Sequence, residues 1–256
     1  MLFNTLRSEN HNVNNNSIKY WGISLLLAAF MLTAGCDLTG SDEIVTTFET
    51  DFDTSETDWE PFYTGYPVSY EENMEFDYGI EPLPAPLDSA QSGYYITAFN
   101  RSDNVKMLFR NQVDELEPNT TYSVHFTVRF ATEVPSGCAG IGGAPGEAVR
   151  VIADASDIRP EPMIEGEGDD GYVLLNIQHM GDSQQWYQNA IMGDIANSRE
   201  CEEGYEFEIK EVSSERVHST VTTNSEGEAW LMFGTRSGFE GQTHLFYTNF
   251  KAEFRR

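Results

Sequence analysis

Beyond residue 43 the chain alternates apolar and polar residues with a period of two, and no stretch carries a helical period. The clearest case runs from Tyr122 to Phe130. There Tyr122, Val124, Phe126, Val128 and Phe130 fall on one face, and Ser123, His125, Thr127 and Arg129 on the other. Tyr205, Phe207 and Ile209 alternate with Glu206, Glu208 and Lys210 in the same way. Near the C-terminus, Phe246, Phe250 and Phe254 are expected to share a face with Thr248 and Ala252. Further strands are predicted over Tyr94–Phe99, Val105–Arg110, Val149–Ala153, Tyr172–Ile177, Val217–Thr222 and Ala229–Phe233. Many short strands punctuated by Gly and Pro predict an all-β fold, an antiparallel β-sandwich and not a parallel α/β sheet. Two irregular stretches, Pro135–Glu147 and Ser156–Gly171, exceed ordinary hairpin loops, so function is expected to be displayed there.

The first 35 residues follow a different pattern. Lys19 precedes an apolar run from Trp21 to Leu32, too short to span a bilayer and suited to the core of a signal peptide. It ends in Leu32-Thr33-Ala34-Gly35-Cys36, which resembles the lipobox of bacterial lipoproteins, with Thr33 where leucine is commonest. The resemblance implies cleavage before Cys36 and acylation (palmitate or a related chain) of its thiol. The alternative is an ordinary secretory signal or a short anchor helix. The expected organisation is a signal peptide over 1–35, a lipidated polar tether over 36–43, and one β-sandwich domain over 44–256. A membrane-anchored location in the bacterial cell envelope follows, at the outer membrane or cell surface.

Charge narrows the partners. The 256 residues carry 15 Lys and Arg against 42 Asp and Glu, a formal charge of −27. After residue 35 only Lys106, Lys210 and Lys251 remain as lysines. Nucleic acid is an unsuitable partner, because phosphate recognition needs cations. The same charge argues against docking on anionic lipid through a basic face. A soluble, self-repelling surface is the plain reading of such a charge, and an acidic face for a cationic partner or calcium is the other.

With Cys36 assigned to lipid, Cys138 and Cys201 are left outside the cytoplasm, where two thiols most simply form a disulfide. Two separate buried thiols are the alternative. Their spacing matches no zinc site.

Short segments carry a likeness to known folds. Leu116-Glu117-Pro118-Asn119-Thr120-Thr121-Tyr122 resembles the entry strand of extracellular β-sandwich modules. Phe246-Tyr247-Thr248-Asn249-Phe250-Lys251 resembles the closing strand of carbohydrate-binding-module and galactose-binding-like jelly rolls, and Phe48-Glu49 with Trp59 fits their opening strand loosely. Segments such as Asn100-Arg101-Ser102-Asp103, Pro135-Ser136-Gly137-Cys138 and Gly143-Ala144-Pro145-Gly146-Glu147 resemble uncharacterised bacterial secreted β-sandwich proteins, which carry no assigned activity. The jelly-roll likeness implies a structural calcium where the first and last strands meet. Glu49, Asp51, Asp53 and Asn249 occupy the matching places, against the plain reading of a generic acidic surface.

No catalytic pattern emerges. Gly137–Gly146 lacks the Gly-Lys-Ser/Thr of a phosphate loop, and there is neither a Gly-x-Ser-x-Gly elbow nor a His-Glu-x-x-His pair. The expectation is a non-enzymatic lipoprotein whose partner is a neutral extracellular glycan. Trp186 and Tyr187 are the expected stacking platforms, with Asp182, Gln184 and Gln185 as hydroxyl partners. Tyr63 and Tyr66 near Trp59 form a second aromatic group, and either set could instead pack the core. A structural lipoprotein without a small ligand and a secreted hydrolase are the alternatives.

Overall fold

The computed structural model describes residues 43–53, 57–177, 191–214 and 219–256. Fifteen strands fill most of this length. They are β1 (Ile44–Asp51), β2 (Glu60–Thr64), β3 (Tyr66–Pro67), β4 (Asp77–Pro82), β5 (Ser92–Phe99), β6 (Val105–Val113), β7 (Thr121–Thr132) and β8 (Val149–Ser156). The chain continues through β9 (Pro162–Glu165), β10 (Tyr172–Leu175), β11 (Ile191–Asp194), β12 (Glu208–Ser213), β13 (Ser219–Thr222), β14 (Ala229–Ser237) and β15 (Gln242–Arg255). Every strand pairing is antiparallel. A seven-stranded sheet runs β12-β7-β15-β5-β4, with β1 beside β15 and β13 beside β7. A five-stranded sheet runs β11-β8-β14-β6-β2, and a small third sheet runs β3-β10-β9. The fold is all-β, as the periodicity implies.

The two large sheets bury aromatics between them. Phe233 of β14 stacks on Phe109 of β6 (5.2 Å) and on Phe250 of β15 (4.6 Å), and Trp59 meets both Phe233 and Phe250 edge-on at 4.8 Å. The Trp59 indole N–H, which would otherwise be buried unpaired, donates to Thr50 Oγ1 at 3.0 Å. On β7 the predicted alternation is realised: Tyr122, Val124, Phe126, Val128 and Phe130 are all in this core. The backbone N–H of Glu117 donates to the Tyr122 hydroxyl at 3.0 Å, pinning the loop that enters β7.

Two expectations of register need correction. On β15 a bulge falls between Tyr247 and Asn249. One extra residue reverses the parity of the strand. Tyr247, Phe250, Ala252 and Phe254 therefore face the main core, while Phe246 packs outside with Leu83 and Ala131. The Tyr205–Lys210 alternation starts too early: β12 begins at Glu208, and Tyr205 is an exposed loop residue after a 3-10 turn at Cys201–Glu203.

Cys138 and Cys201 form the expected disulfide, with a Cα–Cα separation of 5.1 Å. It ties the 135–147 stretch to the turn before β12, alongside a hydrogen bond from Ser136 N to Arg199 O at 2.8 Å. The other stretch expected to be irregular, Ser156–Gly171, contains β9 and so forms the outer edge of the third sheet.

Candidate functional site

Three segments distant in sequence build an aromatic cleft of about 460 Å³. The first is β2 and the turn after it. Gly65 bends the chain with φ +88°, and a Cβ there would meet the Asn104 carbonyl oxygen, so the position requires glycine. Its own carbonyl accepts from Ser102 Oγ (2.7 Å) and Tyr172 Oη (2.8 Å), which fixes the turn. Tyr63 and Tyr66 on either side of it end with their rings stacked, centroids 4.8 Å apart and 11° from parallel. Burial, with smaller contributions from the neighbouring Tyr63 hydroxyl and the Glu71 carboxylate, pushes the Tyr66 phenol well above its ordinary range and keeps it protonated.

The second segment is the 3-10 turn Val68–Asn73 leading into β4. Buried Met74 anchors it, its carbonyl accepting from Phe99 N at 2.7 Å. Glu75 then takes a left-handed conformation (φ 51°), and the chain enters the edge strand β4. Phe76 and Tyr78, two residues apart, carry the aromatic wall outward: Phe76 stacks on Tyr63 at 4.2 Å, and Tyr78 sits 5.5 Å beyond it with half its surface exposed. The third segment, β9 and β10, closes the far side with Pro162, Ile164 and Val173. Glu71 is the one charged residue among the described residues that line the cleft. Such a lining offers ring faces, three tyrosine hydroxyls and one carboxylate, which is a surface for holding a ligand.

Of the residues expected from sequence, Tyr63 and Tyr66 are in this cleft. Trp59, expected near them, is in the core. Trp186, Tyr187, Asp182, Gln184 and Gln185 lie outside the described residues, as does Cys36. Phe76, Tyr78 and Glu71 were not anticipated, although Phe76-Asp77-Tyr78 has the spacing of aromatics on one strand face.

Glu49, Asp51, Asp53 and Asn249 do converge, on a polar cleft of about 350 Å³ on the outer face of the seven-stranded sheet. Strand register lays Asp51, Asn249, Arg129 and Glu211 in one cross-strand row. As arranged, these groups do not fit calcium. Asn249 donates to Glu49 Oε1 at 3.0 Å, Asp51 Oδ1 accepts from Asp53 N at 3.0 Å, and Asp53 Oδ1 accepts from Ser92 N. The Arg129 guanidinium lines the same space, and among the described residues no three acidic, His or Cys groups are placed to hold a metal ion.

No protein-family model matches the chain, and no curated protein matches it. Several solved structures do at low similarity. A carbohydrate-binding module studied for specific mannan recognition is 12% identical with a TM-score of 0.38, over 82% of this chain and 99% of its own. The K1 cleaved adhesin domain of Lys-gingipain from Porphyromonas gingivalis W83 is 9% identical with a TM-score of 0.32, over 82% and 96%. A candidate sugar-binding protein from Bacteroides thetaiotaomicron VPI-5482 is 11% identical with a TM-score of 0.36, over 82% and 94%. Likenesses this distant carry no functional argument.

Proposed function

We propose that this chain is a cell-envelope lipoprotein displaying a non-catalytic β-sandwich that binds extracellular glycan in the aromatic cleft. The observation that carries the reading is the continuous ring wall Tyr66–Tyr63–Phe76–Tyr78, buried at one end and half-exposed at the other. A sugar presents an apolar C–H face and a hydroxyl rim. The ring wall suits the first, and the Tyr63 hydroxyl and Glu71 carboxylate suit the second.

A glycan array followed by calorimetry tests the reading. Binding in the micromolar to millimolar range, about −4 to −8 kcal/mol, is expected for an open cleft. Tyr78→Ala should weaken it by about tenfold. No binding to any glycan leaves the structural lipoprotein reading in its place.

A further inference from the structure

The cleft has electrostatic features that a neutral sugar does not require. The two segments forming its banks, residues 68–82 and 161–175, carry ten Asp and Glu and no Lys or Arg. Glu71 stands in the lining itself. Among the described residues, three arginines come near these segments, and each is committed to other partners. Arg101 donates to the Asn73 carbonyl (3.0 Å), pairs with Glu75 (3.4 Å) and lies 4.1 Å over the Phe99 ring. Arg110, over the Phe62 ring at 5.0 Å, pairs with Glu60 (2.9 Å), and Arg159 pairs with Glu60 (2.6 Å) and Glu161 (3.6 Å). The formal charge of −27 on the whole chain adds a field of the same sign. The ring wall favours the same kind of ligand for an independent reason. An aromatic face is the negative pole of its quadrupole, so an ammonium over Tyr or Phe is attracted where a neutral amide gains only contact.

We propose that the glycan held in this cleft carries free, protonated amino groups, with an ammonium seated between Glu71 and the Phe76–Tyr78 rings. The inference rests on the glycan-binding reading above and narrows its ligand to amino sugars without an N-acetyl cap. Acetylation removes the charge and with it both contributions. A uronic acid in the same place would meet the Glu71 carboxylate between two acidic banks.

The test is calorimetry on the full-length protein with glucosamine oligosaccharides of one length, fully deacetylated and fully N-acetylated, at low and at high salt. The deacetylated ligand should bind about tenfold more tightly at low salt, with the preference shrinking as salt rises. Glu71→Gln should remove most of the preference, and Tyr78→Ala should weaken both ligands. Equal affinity for the two ligands, or a preference that survives Glu71→Gln, overturns the amino-sugar inference and leaves glycan binding standing. Binding of the deacetylated ligand that ignores Tyr78→Ala and is matched by spermine is diffuse charge attraction, and it overturns the inference too. If neither ligand nor any other glycan binds, the underlying reading fails with it.

Discussion

Replacing Tyr247 by Phe should make the protein more stable, and more so in alkali. Tyr247 is fully buried between the sheets, packed edge-on against Phe109 and Phe233 at 5.5 and 5.0 Å. Its hydroxyl has no hydrogen-bond partner among the described residues. A buried polar group without a partner costs about 1–3 kcal/mol, while the ring contacts survive the substitution. Deleting the oxygen leaves a void smaller than a methyl group, which offsets part of the gain, so about 1 kcal/mol is expected at pH 7. Burial also pushes the Tyr247 phenol far above its ordinary range. The unfolded chain releases that proton near pH 10, while the folded protein keeps it. Stability is then lost as pH rises past about 10, by ~1.4 kcal/mol for each further unit that this group contributes. The phenylalanine variant lacks this loss, so its advantage should grow to roughly 2.4 kcal/mol at about pH 11. Tyr66 and Tyr94 are shifted upward as well, but they are present in both proteins and cancel in the difference. Denaturant titrations of both proteins at neutral pH and at about pH 11 measure the two gaps. A destabilised variant, or a gap that does not widen with pH, refutes the reasoning.

Removing the disulfide by Cys138→Ala and Cys201→Ala opens a loop with a sequence separation of 63 residues. It should cost about 4 kcal/mol, or roughly 8–16 °C in Tm; a loss under about 3 °C contradicts this. Calcium or a chelator should leave Tm unchanged within about 1 °C, since the donors around Asp51 are engaged and Arg129 shares their cleft. A calcium-dependent rise would show that those side chains rearrange to take the ion. Intact mass and detergent-phase partitioning should find Cys36 as an acylated N-terminus; a water-soluble product with an unmodified Cys36 rejects the anchor.

The parts of the fold legible in the sequence are those where one face is buried and the other wet. β7 is the model case: its inner residues all join the core, so the two-residue period is written in full. The edge strands escape notice because neither face is buried. All four residues of β9 are exposed, and β4 buries none of its six. Phe246 was misplaced because a bulge has no signature in hydrophobicity. The cleft was half legible. Tyr63 and Tyr66 stand close in sequence, but their meeting with Phe76 and Ile164 depends on β4 and β9, the very strands that periodicity cannot reveal.

The cleft under Tyr78 is the proposed sugar site. Titrating an oligosaccharide selected on the glycan array into wild type, Tyr78→Ala and Trp186→Ala compares the two aromatic groups directly. Tyr78→Ala is expected to weaken binding by about tenfold and Trp186→Ala to leave it within about twofold of wild type. Binding that is lost with Trp186 and indifferent to Tyr78 would contradict the Tyr78 cleft as the sugar site.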